Sequence, residues 1–195
     1  VHCQGEHGHV LVNGAPEIPG ETALAKMNYL NTVDDSLRRF VTFEPRADVA
    51  MSINLLFKPT RPDADAGFIV LQADRAHSMS GRNCICVVTA LLESGRLAIK
   101  EPETLVRLDT PAGLVVAHAR CANGRCLSVS LDNVPAFAEM LDQEIDTPRW
   151  GRVRLDVAFG GVYYALVDVG QFGVAIEPKN ARFLAEAGVE LKRLL

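Results

Sequence analysis

The sequence has no excess of basic residues, no long apolar run and no even set of cysteines, and each absence excludes a class of protein. Its 195 residues include 20 lysines and arginines against 24 aspartates and glutamates, which leaves a net charge of −4. Because there is no stripe rich in lysine or arginine, we expect no nucleic-acid partner. The longest apolar segments, such as residues 84–92, are far too short to cross a bilayer, and no secretory signal pattern is visible. We therefore expect no membrane partner.

The five cysteines form an odd set, namely Cys3, Cys84, Cys86, Cys121 and Cys126. An odd number without a signal sequence predicts reduced thiols and a cytoplasmic protein. The last two flank the turn sequence ANGR. We interpret them as free thiols on neighbouring strands, with a cross-strand disulfide as the alternative.

Short segments separated by turns predominate in the chain, and three longer segments have helical spacing. The first predicted helix is ETALAKMNYLNT, continuing through DDSLRRF. The second is NCICVVTALLESG, in which Gly95 suits the position after a helix end, and the third is EPKNARFLAEAGVELKRLL. The other apolar segments, among them MSINLLF, AGFIVL and GLVVAHAR, are typical of strands. Few helices among many strands predict an α+β fold rather than a regular βαβ repeat.

The segment HSMSGRN lies between a predicted strand and the second helix, and its small polar residues suit a binding site at a helix start. The first N–H groups of a helix have no partner within it and carry the positive end of the helix dipole, so they bind carboxylates and phosphates. Gly81 has no side chain that would block a ligand, and Arg82 adds positive charge. The alternative is that Ser80 or Asn83 only caps the helix.

Two other chemistries fit the sequence less well. Ser80 lacks the glycine two residues earlier that the G-x-S-x-G nucleophile elbow needs, so a serine hydrolase is not predicted. The first ten residues contain several possible zinc ligands, but their spacing matches none of the usual zinc patterns, and no metal site is predicted. Cys84 and Cys86 lie within an apolar helix and are interpreted as buried core thiols.

The segment SMSGRNCICVVTALLESG resembles the first active-site motif of the proline racemase superfamily, in which Met-Cys-Gly-His leads into a helix. Further segments resemble family segments and follow in the family order: HCQGEHGHVLVNGAPEIPGET, FEPRADVAM, PTRPDADAGFIVLQ, EPETLVRLDTPAG, DNVPAF and DVAFGGVYYALVD. The resemblance covers essentially the entire chain. It implies a diaminopimelate-epimerase-like fold of two lobes, each with a barrel-like sheet around a central helix, and an active site between them. Residues 1–140 would form the first lobe, and residues 141–195 the start of an incomplete second lobe.

The family removes the α-proton of a proline-type imino acid without metal or cofactor, so the resemblance implies neither here. In its racemases and epimerases two cysteines act on opposite faces of the α-carbon. Cysteine suits this role because a helix N-terminus lowers the thiol pKa and so gives thiolate at neutral pH. Ser80 stands where the first cysteine is expected, and Arg82 replaces the usual histidine. The resemblance implies a catalytic role for Ser80 and substrate binding by Gly81, Arg82 and Asn83. The helix cap is then assigned to Asn83.

The serine weakens the case for symmetric two-thiol racemisation, since a hydroxyl is a poorer base than a thiolate. We therefore predict dehydration of trans-3-hydroxy-L-proline, with 4-hydroxyproline 2-epimerisation, proline racemisation or non-catalytic imino-acid binding as alternatives. The family's second motif, of the Asp-Arg-Ser-Pro-Cys-Gly-Thr-Gly type, does not occur here. The absence of this motif predicts that the chain is the first part of a longer protein or a degenerate relative of the family. A homodimer is a further expectation.

Overall fold

A computed structural model describes residues 1–195, and their contacts divide them into two compact units, residues 1–134 and residues 135–195. The sequence-based lobe boundary at residue 140 falls inside a strand of the second unit. The assignment of the two units to family lobes stays a prediction.

The first unit is an eight-stranded sheet with three helices. Its strands are β1 (His2–Cys3), β2 (Glu6–Leu11), β3 (Ser52–Phe57), β4 (Ala66–Leu71), β5 (Ala76–His77), β6 (Glu103–Thr110), β7 (Gly113–Ala122) and β8 (Arg125–Asp132); its helices are α1 (Ala23–Thr32), α2 (Ser36–Thr42) and α3 (Gly81–Glu93). The strand order is β1-β2-β3-β4-β6-β7-β8, with β5 paired to β4. The pairs β2–β3 and β4–β6 are parallel, and the other pairs are antiparallel.

The sheet curls around α3. This helix contacts β1, β2 and β3 near one edge of the sheet and β7 and β8 at the other edge. Its apolar side chains are almost fully buried, among them Cys84, Cys86, Val87 and Val88, each 0% exposed. The chain leaves the helix at Gly95, whose φ of +72° is the left-handed conformation that favours glycine. The α+β, diaminopimelate-epimerase-like fold predicted from the sequence is confirmed.

Helices α1 and α2 lie outside this arrangement, against β3 and β4. Leu30 of α1 joins Leu55, Ile69 and Leu71 in one buried cluster. The sequence-based expectation of a single continuous helix here is wrong, because α1 ends at Thr32 and α2 begins at Ser36. The Asp34 carboxylate accepts a hydrogen bond from the Ser36 N–H at 2.9 Å, a local turn that competes with helical hydrogen bonding.

The second unit has a three-stranded antiparallel sheet in the order β11-β10-β9 and one helix. Its elements are β9 (Phe137–Thr147), β10 (Gly151–Phe159), β11 (Tyr163–Leu166) and α4 (Ala181–Leu194), with short 3₁₀ turns at Val169–Phe172 and Pro178–Asn180. Trp150 stacks edge-on against Phe172 and Phe183, with ring centroids 5.0 and 6.0 Å away. No helix of either unit is long and apolar enough to cross a membrane.

Besides the two-residue strands β1 and β5, the sequence did not predict β9, although it is the longest strand in the protein. Nearly all its residues are exposed, so it lacks the apolar alternation by which strands are predicted. Its charges instead pair across the sheet: Glu144 lies 3.4 Å from Arg154, its register partner on β10. Such cross-strand ion pairs favour the pairing of β9 with β10.

Candidate active site at the start of helix α3

Ser80 is the N-cap residue of α3. Its backbone is extended, with φ −156° and ψ 121°, and its Oγ accepts a long hydrogen bond from the Asn83 N–H at 3.4 Å. Its carbonyl accepts the first helical bond from the Cys84 N–H at 2.9 Å. The assignment of the cap to Asn83 is therefore wrong, because Asn83 lies inside the first turn and Ser80 holds the capping position.

Gly81 and Arg82 open the helix with backbone N–H groups that helix geometry leaves without an intrahelical acceptor. An added Cβ at Gly81 would meet just one neighbour within 4 Å, Leu131 Cδ1 at 3.8 Å, so space remains beside this backbone. The helix dipole puts partial positive charge here. The local geometry therefore suits a carboxylate.

The Arg82 side chain does not extend into that space; it folds back onto the sheet. Its Nε lies 2.6 Å from a Glu6 carboxylate oxygen, and its Nη1 donates to the His7 carbonyl at 2.8 Å. Its Nη2 donates to Ser52 Oγ at 3.2 Å. The guanidinium therefore ties the helix start to β2 and β3, and Glu6 offsets part of its charge.

Asn83 is 1% exposed and points into the first unit. Its Oδ1 accepts hydrogen bonds from Ser52 Oγ at 3.0 Å and from Asn54 Nδ2 at 2.9 Å. Its Nδ2 donates to Ser80 Oγ at 3.1 Å. We call Ser52, Asn54, Ser80, Arg82 and Asn83 the Asn83 network.

Sequence analysis singled out neither Ser52 nor Asn54, and both are fully buried. A signal for them exists: they are polar residues at alternate positions of the otherwise apolar strand SINLLF, so both point to the same face of β3. Buried polar side chains need hydrogen-bond partners, and Asn83 at the start of α3 supplies one to each of them.

The thiols near the site, Cys84 and Cys86, are buried. Cys84 is fully buried, and burial raises the pKa of its thiol to about 12. Burial also raises the pKa of the Cys86 thiol above its ordinary value. Their interpretation as core thiols is confirmed. All five cysteines are free, including Cys121 and Cys126, which lie opposite each other on β7 and β8.

Two other ionisable residues of the sheet, Asp109 and His118, have hydrogen-bond partners within the first unit, and two histidines of β2 do not form a metal site. His7 and His9 lie on one face of β2 with ring centroids 6.1 Å apart, but no group of three or more His, Cys, Asp or Glu side chains is arranged to hold a metal ion. Asp109 accepts hydrogen bonds from the N–H and the hydroxyl of Thr60, both at 2.7 Å. His118 lies between two carboxylates, 2.9 Å from that of Asp132.

A sheet curled around one central helix is the architecture of diaminopimelate-epimerase-like proteins. Within that class, residues 1–195 match the proline racemase family model over their whole length, and the chain belongs to that family.

Among curated relatives, 4-hydroxyproline 2-epimerase 1 of Rhizobium rhizogenes is 54% identical over all of this chain and 57% of its own length. The 4-hydroxyproline 2-epimerase of Agrobacterium fabrum is 52% identical over the same shares. The chain therefore spans a little over half the length of the curated relatives it matches.

Two solved structures are similar throughout the chain. A hydroxyproline epimerase from Agrobacterium vitis with bound trans-4-hydroxy-L-proline superposes with a TM-score of 0.91 at 53% identity, over 98% of this chain and 56% of the other. A probable proline racemase from Agrobacterium radiobacter K84 with bound carbonate gives a TM-score of 0.92 at 54% identity, over 99% of this chain and 57% of the other. These relatives share the whole fold described here.

Proposed function

We propose that this chain supplies one half of the active site of a 4-hydroxyproline 2-epimerase. The observation that carries the proposal is the start of α3, where the Gly81 and Arg82 N–H groups have no intrahelical acceptor and lie next to the Ser80 hydroxyl. Relatives more than half identical to the chain are named 4-hydroxyproline 2-epimerases, and one related structure holds trans-4-hydroxy-L-proline. That similarity favours epimerisation over the dehydration of trans-3-hydroxy-L-proline that the sequence alone suggested.

The proposed chemistry begins with the carboxylate of the imino acid. The N–H groups of Gly81 and Arg82 hold it at the helix start, where the dipole also stabilises the negative charge that builds up as the α-proton leaves. In this proposal the side chains of Arg82 and Asn83 support the helix start rather than contact the carboxylate, because both are hydrogen-bonded to residues of the sheet.

Inversion requires an acid-base group on each face of the α-carbon. Ser80 serves one face in the proposal. The family resemblance implies that the other group belongs to the second motif, which residues 1–195 do not contain. The activity is accordingly proposed for the full gene product, with a cytoplasmic location and a homodimer kept as predictions.

The test is proton exchange in D2O, followed by NMR with the purified full gene product. We expect trans-4-hydroxy-L-proline to become cis-4-hydroxy-D-proline carrying deuterium at Cα. A pyrroline product from trans-3-hydroxy-L-proline, without epimer formation, would support the dehydratase instead. Binding without any exchange would point to the non-catalytic alternative and overturn the proposal.

A further inference from the structure

The orientation of the Asn83 amide is set by its partners rather than by Ser80. Asn54 Nδ2 donates to the His9 carbonyl at 3.1 Å, and a carbonyl oxygen accepts hydrogen bonds but cannot donate them. This contact identifies the amide nitrogen of Asn54. The same nitrogen donates to Asn83 at 2.9 Å, so the atom that it meets there is the Asn83 oxygen.

A second chain of contacts agrees with this result. The Arg82 guanidinium is a donor without acceptor capacity, and its Nη2 donates to Ser52 Oγ. The Ser52 hydroxyl proton is then directed to the neighbouring Asn83 oxygen at 3.0 Å. Asn83 therefore presents Oδ1 to the sheet and Nδ2 to Ser80, because the opposite flip would set donor against donor at the Asn54 contact.

This orientation determines the direction of the hydrogen bond at Ser80. Its Oγ accepts from Asn83 Nδ2 at 3.1 Å and, more weakly, from the Asn83 backbone N–H at 3.4 Å. With these donors occupying the oxygen on the inner side, the hydroxyl proton of Ser80 is available to an acceptor outside the network. A donated hydrogen bond also stabilises negative charge that develops on Oγ when this proton leaves.

We propose that Asn83 is a positioning residue that orients the Ser80 hydroxyl, so that its proton faces the α-carbon and its oxygen is stabilised when that proton is transferred. The inference rests on the proposed function. In the step concerned, the base on the opposite face has taken the α-proton; the O–H bond of Ser80 then breaks and a C–H bond forms at the α-carbon. The negative charge of the enolate passes to Ser80 Oγ. Hydrogen bonds from Asn83 Nδ2 and from the Asn83 backbone N–H stabilise it there.

The test is Asn83→Asp in the full gene product, compared with the wild type in D2O. The substitution keeps the shape but replaces the donor facing Ser80 by a carboxylate oxygen. Loss of a comparable donor costs about 100-fold or more in rate, and we expect inversion to slow by that factor. Deuterium exchange should persist for the epimer whose α-proton faces the opposite base, and be lost for the other epimer.

Asn31→Asp is the matched control. Asn31 is likewise an amide with hydrogen bonds at both its oxygen and its nitrogen. It accepts from the Ala76 N–H at 2.8 Å and donates to the Ala76 carbonyl at 3.0 Å, outside the Asn83 network. This variant should keep both inversion and exchange. Two results would overturn the inference. One is a folded Asn83→Asp variant that inverts the substrate at the wild-type rate, and the other is an equal loss of deuterium exchange for both epimers.

A second measurement does not depend on catalysis or on the fate of the Asn83→Asp variant. In the ¹⁵N–¹H spectrum, Ser80→Ala should shift the side-chain amide resonance of Asn83 and leave that of Asn31 unchanged. An unaltered Asn83 amide would overturn the inferred hydrogen bond. Failure of the wild type to exchange any α-proton would instead overturn the proposed function, so the two failures are distinguishable.

Discussion

Gly81→Ala separates ligand binding from folding at the start of α3. The new methyl group would meet just one neighbour within 4 Å, Leu131 Cδ1 at 3.8 Å, which is an ordinary van der Waals contact. Gly81 is also not among the glycines with positive φ, so alanine fits its backbone without strain. We expect the free energy of unfolding to change by less than about 1 kcal/mol, and in the stabilising direction, since alanine restricts the unfolded chain.

The same methyl group should obstruct the proposed substrate. Cα–Cβ bonds in a helix tilt toward its N-terminus, so the added carbon leans into the space beside the Gly81 and Arg82 N–H groups. We expect kcat/KM for trans-4-hydroxy-L-proline to fall at least about tenfold, equivalent to ~1.4 kcal/mol of binding. Thermal unfolding and initial epimerisation rates on the same preparation measure both effects. A variant as stable and as active as the wild type would refute the idea that the carboxylate approaches this backbone.

Three further predictions concern the packing and titration of the first unit. Gly8→Ala should lower the free energy of unfolding of the first unit by about 1–3 kcal/mol, because the added Cβ would lie 2.6 Å from Cys86 Cβ. The measurement is a lower Tm, and an unchanged Tm would contradict this packing. Cys84, with its thiol pKa raised to about 12, should resist iodoacetamide at pH 8 until the protein is denatured, and labelling of the folded protein would count against its burial. The hydrogen bond that His118 donates to Asp132 raises the pKa of His118, so the stabilisation from this pair is full below the unfolded pKa of ~6.5 and is lost as pH rises through the folded pKa. The Tm difference between wild type and Asp132→Asn should therefore be larger at pH 5.5 than at pH 8, and a constant difference would show that this pair does not contribute.

Helix α3 was predictable because its signals are local. A buried apolar stretch followed by Gly95 indicates a helix and its end, and the structure has both. The cap was misassigned because Ser80 and Asn83 are both good capping residues, and sequence alone does not say at which of them the backbone becomes extended. The extended backbone of Ser80 decides it.

The contacts of Ser52 and Asn54 with Asn83 were not predictable, because the two segments are far apart along the chain. Asn54 and Ser52 lie 29 and 31 residues before Asn83, and they reach it through the parallel pairing of β2 with β3 and the packing of α3 on that pair. Gly8 allows this packing, since a larger residue would collide with Cys86. Such long-range registration depends on the assembled sheet rather than on any local pattern.

The central claim is that Ser80 moves the proton on one face of a hydroxyproline. Ser80→Ala removes the hydroxyl together with a helix cap, and loss of such a cap costs about 0.5–2 kcal/mol. Thr22→Ala is the matched control, since Thr22 caps α1 by accepting from the Ala25 N–H at 3.0 Å, away from the site.

The decisive measurement is the rate at which trans-4-hydroxy-L-proline is inverted in D2O by the full gene product carrying either substitution. The account predicts that Thr22→Ala inverts the substrate at nearly the wild-type rate and that folded Ser80→Ala loses inversion by about 100-fold or more. Inversion by Ser80→Ala at the rate of Thr22→Ala would contradict it.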